Sequence, residues 1–188
     1  DPVLSRGLGD VYKRQGSAFN VDVSGLQSTI FDPSIVNLFF SDNAANATIR
    51  GVEGDFTYYT NIEGLSVAGA FSLLNSNIDD KLVPTDDVVV GSELAFAPGH
   101  QGNIRIRKET GMAGGNVGHI QVQYTFSDKS YSDIMEPNKA KQDSYSYIDL
   151  RAGISNDELT AELYVDNVTD ERAEISNTFV FDRQRIAY

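Results

Sequence analysis

The chain has 188 residues, 40% of them hydrophobic, and a formal net charge of −12; this describes a folded domain or part of a larger one. Its acidity excludes a nucleic-acid partner, because no basic stripe is available to meet phosphates. With no cysteine and only His100 and His119 as histidines, neither disulfides, zinc sites nor a cysteine nucleophile are expected.

In chain order, the first segment stands apart. Ser5–Gln15 reads SRGLGDVYKRQ, which resembles an in-frame translation of a transposon-end adapter from sequencing libraries. Asp1–Gln15 is therefore expected to be non-native and is set aside, as a cloning scar would be. The fold is sought in 16–188.

From Phe19 onward the pattern is that of strands. Phe19, Val21 and Val23 alternate with polar residues up to Gly25-Leu26-Gln27. Val52, Phe56 and Tyr58 lie opposite Glu53, Asp55 and Thr57. Two less regular strands follow around Leu65–Leu74, with Ala68, Gly69 and Ala70 at its centre, and Asn103–Lys108. Ile120, Val122, Tyr124 and Phe126 interleave with His119, Gln121, Gln123 and Thr125. Ile148, Leu150, Ala152 and Ile154 interleave with Asp149, Arg151 and Gly153. Leu159, Ala161, Leu163 and Val165 interleave with Thr160, Glu162, Tyr164 and Asp166. Period two gives each strand an apolar and a polar face.

Alternation alone suits a soluble sandwich equally well. The connections are more informative. Short links at Asn61–Gly64, Gly111–Asn116 and Ser155–Glu158 alternate with long polar links at about Asp32–Ala45, Ile78–Gly99 and Ser127–Ser144. That is the pattern of an outer-membrane barrel, with tight turns at one end and long loops at the other. No run of about 18 apolar residues is present for a membrane helix, which leaves barrel strands open. The charges agree, since Arg105, Arg107, Arg151, Glu53, Asp55, Asp149 and Glu162 all fall on polar faces. Arg50 shares phase with Val52 but lies near a long-loop end. Tyr58, Tyr124, Phe126 and Tyr147 are expected in aromatic girdles.

Four motifs now occur in order. They are Gly25-Leu26-Gln27 closing the first strand, Gly51-Val52-Glu53 opening the next, Phe96-Ala97-Pro98 before His100–Ile104, and Asn167-Val168-Thr169-Asp170-Glu171. Together they resemble the C-terminal barrel region of TonB-dependent receptors, over Phe19 to Tyr188. The resemblance implies an all-β, antiparallel up-and-down transmembrane barrel of which about seven strands are present as an open fragment. A complete member has a plug, a TonB-contact segment and about 22 strands, so truncation at both ends is expected. It implies a receptor in the outer membrane of a Gram-negative bacterium. Such a receptor takes up a scarce ligand, such as an iron–siderophore, cobalamin or carbohydrate, with energy passed from TonB through the plug. Its partners are outer-membrane lipid, the plug, TonB and a small-molecule ligand.

His119, Gln121, Gln123, Asp149, Arg151, Glu162 and Tyr164 are the candidates for a lumen wall that meets ligand. Most lumen residues only hydrate a plug or one another, and Arg105, Arg107 and Arg151 suit plug carboxylates. Asp79, Asp80, Asp86, Asp87 and Glu93 form an acidic stretch; without the spacing of a calcium motif it reads as a solvated loop. No catalytic, cofactor or metal constellation is apparent, so no enzyme is expected. A soluble secreted β-sandwich and a passive porin-like barrel are the alternatives.

Overall fold

The long alternating runs produce strands that are long as well as regular. The computed structural model describes residues 13–32, 38–180 and 184–187. Its strands are β1 (Lys13–Asp32), β2 (Leu38–Tyr59), β3 (Leu65–Lys81), β4 (His100–Gly111), β5 (Val117–Ser127), β6 (Ser130–Tyr131), β7 (Lys141–Gln142), β8 (Tyr145–Ser155), β9 (Thr160–Val165), β10 (Asn177–Val180) and β11 (Gln184–Ala187). One 7-stranded sheet has the order β1-β2-β3-β4-β5-β8-β9. Every adjacent pair in it is antiparallel. It is an open up-and-down meander, as expected from the sequence.

Two faces run through the whole register. Tyr58, Val67, Ile106, Val122, Leu150 and Val165 are successive partners across β2 to β9, so they share one face. One residue along, Tyr59, Ser66, Arg107, Gln121, Arg151 and Tyr164 share the other. The apolar face is open. Ile120 is 62% exposed and Leu163 82%, and Ile104, Ile106, Val122 and Leu150 are exposed beside them. No second sheet covers this face among the described residues, which a sandwich would require.

Rings fill the gaps that glycines leave on neighbouring strands. Phe71 lies across its partner Gly54, Phe56 across Gly69, and Phe126 across Gly102. On the opposite face Phe19 lies across Gly51 in the same way. A Cβ at Gly51 would sit 2.5 Å from the Phe19 ring, closer than real contacts allow.

The short turns hold their strands tightly. In the β2–β3 turn the Thr60 N–H donates to Leu65 O at 3.0 Å, and Gly64 has φ +69°. The Glu109 N–H donates to Gly64 O at 2.8 Å, and a Cβ on Gly64 would run into the Glu109 carbonyl. Both backbone conformation and space therefore demand glycine there. Gly64→Ala is expected to cost more than about 1 kcal/mol, read as a lower urea midpoint of the full-length gene product in detergent.

Several expectations need correction. The link expected at about Asp32–Ala45 is mostly strand, because β1 continues to Asp32 and β2 begins at Leu38. Its short polar residues are not a loop; Ser28↔Asp42 and Thr29↔Ser41 are ladder pairs of a long projecting hairpin. Likewise β3 runs on to Lys81, beyond the expected strand end at Leu74. Gly25 does not close β1. It has φ +68° at a register shift between Val23 and Leu26, where its N–H donates to Asn46 Oδ1 at 3.0 Å. A bulge with a left-handed glycine bends a strand without ending it. Tyr147 does not join an aromatic girdle on the apolar face, since it pairs with Thr125 on the polar one and stacks on Tyr145 at 6.3 Å. Lys13–Gln15 pair with Asp55–Thr57 at the start of β1, which does not bear on the expected origin of Asp1–Gln15; residues 1–12 lie outside the described residues.

The long loops are packed bodies. Val88 bridges Met135, Phe96 N–H donates to Tyr131 O at 2.7 Å, and Glu136 N–H donates to Asp87 O at 2.8 Å. The loop between β3 and β4 is thereby joined to the loop between β5 and β8. Under them Val88, Leu94, Ile134 and Met135 pack with Ile30, Ala47 and Ile78. This is the buried core, and it lies at the long-loop end. Asp86 and Asp87 fall in this loop, where Lys81 Nζ lies 3.5 Å from Asp86 Oδ1. No cluster suited to a metal ion appears among the described residues.

Candidate functional site: the polar face

The register brings all the candidate residues onto one face. Gln123 pairs with Asp149, Gln121 with Arg151 and Arg151 in turn with Tyr164, and His119 with Gly153 and Gly153 in turn with Glu162. They occupy the middle of β5, β8 and β9 and the half nearer the short turns.

Four of the seven side chains, those of His119, Arg151, Glu162 and Tyr164, engage one another. His119 Nε2 is 2.9 Å from Glu162 Oε2, and Arg151 Nη1 is 3.6 Å from Glu162 Oε1. The Arg151 guanidinium lies 5.8 Å from the Tyr164 ring centroid. Arg107 Nη1 donates to Gln121 Oε1 at 3.4 Å, while its Nε donates to Glu109 Oε1 at 2.9 Å. The His119 imidazole is buried against Gly153, where a Cβ would come within 2.7 Å of its ring. Glycine at 153 is what lets the imidazole lie across β8 and reach Glu162 on β9. The partly exposed Arg151–Glu162 pair contributes about 0–1 kcal/mol. The cluster fixes side-chain directions more than it stabilises.

Asp149 has a distinct part. Its Oδ1 accepts the Asn167 N–H at 2.8 Å. Asn167, at φ +54°, accepts the Glu171 N–H at 2.9 Å through Oδ1 and donates through Nδ2 to Glu171 O at 2.8 Å. The Val168 N–H donates to Ile148 O at 2.8 Å. The Asn-Val-Thr-Asp motif is thus a closed turn tied to β8 through Asp149. Asp149→Ala is expected to cost about 1.5 kcal/mol or more, the worth of a hydrogen bond to a charged group. Faster protease cleavage near Arg172 in the folded full-length gene product checks it.

Sequence reasoning missed an adjoining part of this face. Nearer the long loops, Ser17, Glu53, Ser72, Asn103, Thr125 and Ser127 line an open trough of 590 Å³. Ser17 Oγ donates to Glu53 Oε1 at 3.1 Å. Small residues such as Ala70 and Ser72 carry no chemistry that draws attention singly. Only the register Ser17↔Glu53↔Ser72↔Gln101↔Ser127 assembles them.

Comparison with known proteins agrees with this geometry. The structure is similar to that of BauA, the ferric preacinetobactin receptor from Acinetobacter baumannii, with a TM-score of 0.63 and 17% sequence identity. The similarity covers 94% of this chain and 25% of that one, so the chain spans a quarter of that receptor's length. No curated protein matches the sequence. The family model described as "TonB dependent receptor-like, beta-barrel" matches residues 15–168. The chain belongs to the β-barrel family of TonB-dependent receptors.

Proposed function

We propose that residues from about Gly16 onward form part of the wall of an outer-membrane transporter. In this reading the apolar face meets lipid and the polar face lines the lumen. The observation that carries the reading is the open apolar face, with Ile104, Ile106, Ile120, Val122 and Leu150 all exposed on it. In water such a face is a liability for aggregation; in a bilayer it is what a barrel strand requires. Family membership supports active uptake driven by TonB through a plug that fills the lumen.

The trough and the charged cluster suit different tasks. The trough of small polar side chains lies nearer the long loops, where a ligand from outside arrives first. His119, Gln121, Gln123, Asp149, Arg151, Glu162 and Tyr164 lie deeper; His119, Arg151, Glu162 and Tyr164 engage one another, while Gln121 is bonded to Arg107 and Asp149 to the Asn167 turn. In the proposed transporter they shape the lumen wall against the plug, with ligand passing them late. The ligand is a scarce small molecule, with iron–siderophore, cobalamin and carbohydrate as the classes to test.

The test is uptake by cells that depend on the full-length gene product. Growth on one of these ligands should require both that gene and TonB. Growth that persists when TonB is deleted would show passive permeation instead.

A further inference from the structure

The polar face changes in charge from the short turns towards the long loops. Its deeper rows carry cations, with Arg107, Gln121 and Arg151 in one and Arg105, Gln123 and Asp149 in the next. The two rows after these hold no arginine or lysine on β2 to β8. One runs Asp55, Ala70, Asn103, Thr125 and Tyr147, and the other Glu53, Ser72, Gln101, Ser127 and Tyr145. All but Tyr147 line the open trough of 590 Å³. Phe19, Gly51 and Leu74 close it on the long-loop side as the following row.

One wall of the trough is acidic and the other aromatic. Glu53 and Asp55 stand on β2, while Tyr145 and Tyr147 stand on β8 with ring planes 11° apart. Four strand spacings separate the walls, about 19 Å along the sheet. Between them Ala70 and Ser72 are short enough to leave depth, and the amides of Gln101 and Asn103 rise from β4. Among the described residues, no hydrogen bond or ion pair engages the side chains of Asp55, Ser72, Gln101 and Asn103. The deeper His119, Arg151 and Glu162 are bonded to one another instead. On the trough floor the covered Thr125 Oγ1 has no hydrogen-bond partner, a polar group that the described residues leave unmet.

We infer that the trough binds an uncharged, hydroxyl-rich ligand, an oligosaccharide, laid across β2 to β8. The inference rests on the transporter reading above and selects among its ligand classes. Amides offer a donor and an acceptor on one group, and carboxylates accept from neighbouring hydroxyls; the edge of a sugar ring needs both. The flat side of a sugar ring is a patch of polarised C–H groups, which packs on the negative face of an aromatic ring.

Charge and shape disfavour the other classes. An anion, such as a ferric tris-catecholate, would lie beside Glu53 and Asp55 with no cation in either row to offset them. A cation would find only these two carboxylates, and Glu53 already accepts from Ser17 Oγ at 3.1 Å. The broad corrin of a cobalamin calls for an apolar surface, which a floor of Ser72, Gln101 and Asn103 does not provide.

The full-length gene product in detergent is applied to an array of neutral and anionic oligosaccharides. Binding of a ferric tris-catecholate and of cyanocobalamin is measured beside it. The expected result is selective binding of neutral oligosaccharide, with an affinity that does not change between low and high salt, because no ion pair is there to be screened. Tyr145→Ala and Gln101→Ala, each in a protein of unchanged heat-modifiable mobility, should weaken that binding several-fold.

Preferred binding of an anionic oligosaccharide, the ferric chelate or cyanocobalamin overturns the inference. So does an array on which nothing binds, or neutral binding that both variants leave unchanged. In each of these cases a protein that leaves the membrane only with detergent keeps the transporter reading, and the ligand class alone is lost. A protein recovered without detergent loses both.

Discussion

Val122→Arg should destabilise the folded barrel by about 2–4 kcal/mol, whereas Gln123→Arg, one residue away, should change it by less than about 1 kcal/mol. Val122 lies between Ile106 and Leu150 on the open apolar face. An arginine there leaves its charge in hydrocarbon unless the side chain can snorkel to an interface, which is hardest from the middle of a strand. Gln123 faces the other way, between Arg105 and Asp149, where a new cation has one like and one opposite neighbour in a wet lumen. Urea unfolding of the full-length gene product in lipid vesicles measures both. Equal costs would mean that the two faces do not differ in solvent.

The second large effect is expected at the long-loop end. Ile78 is 1% exposed, at the centre of the cluster that joins the β1–β3 extension to the loops. Its backbone is also engaged, since its N–H donates to Ser92 O at 3.0 Å and its carbonyl accepts from Gly91 at 2.7 Å. Ile78→Ala removes buried carbon and leaves a cavity under both loops, at a cost of about 2–5 kcal/mol. Because the core is confined to this end, the loss should be local. Limited proteolysis should show faster cleavage around Val88–Val90 and around Met135, with β4, β5 and β8 still protected. The two sites should open together, since Val88 and Met135 are bridged.

These two predictions also mark what was legible in the residues. For β4, β5, β8 and β9, alternation alone assigned the faces, because those strands lie within the apolar band over most of their length. Arg105, Arg107 and Arg151 fell on the polar side as their phase required. The same rule failed for β1 and the starts of the β1–β2 extension. Phe19, Val21 and Val23 are apolar, yet they share a face with Gly51, Ile49 and Ala47, opposite Val52. Alternation tells that two faces differ; it does not tell which environment each one meets. Beyond Val52 on β2 the faces exchange, with Arg50 and Thr48 on the Val52 side and Ala47 and Ile78 buried on the other, so the same pattern carries the opposite meaning.

Polar composition misled in a similar way. Ser41, Asp42 and Asn43 read as loop, yet they are ladder residues in a hairpin too long for the bilayer alone. A transmembrane strand needs only about 9–11 residues, and β2 has 22. Strand outside the membrane is solvated on one side and so takes on the composition of a loop. In the site, the phases of single strands were legible, but the assembly was not. His119 and Glu162 meet at 2.9 Å across an intervening strand, and only because Gly153 leaves room between them. The turn role of Asp149 depends on Asn167 folding back, which no spacing announces.

The most direct test of the account is where the full-length gene product resides and how it is held there. Cells expressing it are fractionated, and the outer-membrane fraction is examined by gel electrophoresis with and without heating. The account predicts a protein that leaves the outer membrane only with detergent and migrates faster unheated than heated, as a folded barrel does. A protein recovered in the aqueous fraction without detergent would contradict it, since the exposed apolar face would then have to be covered by protein.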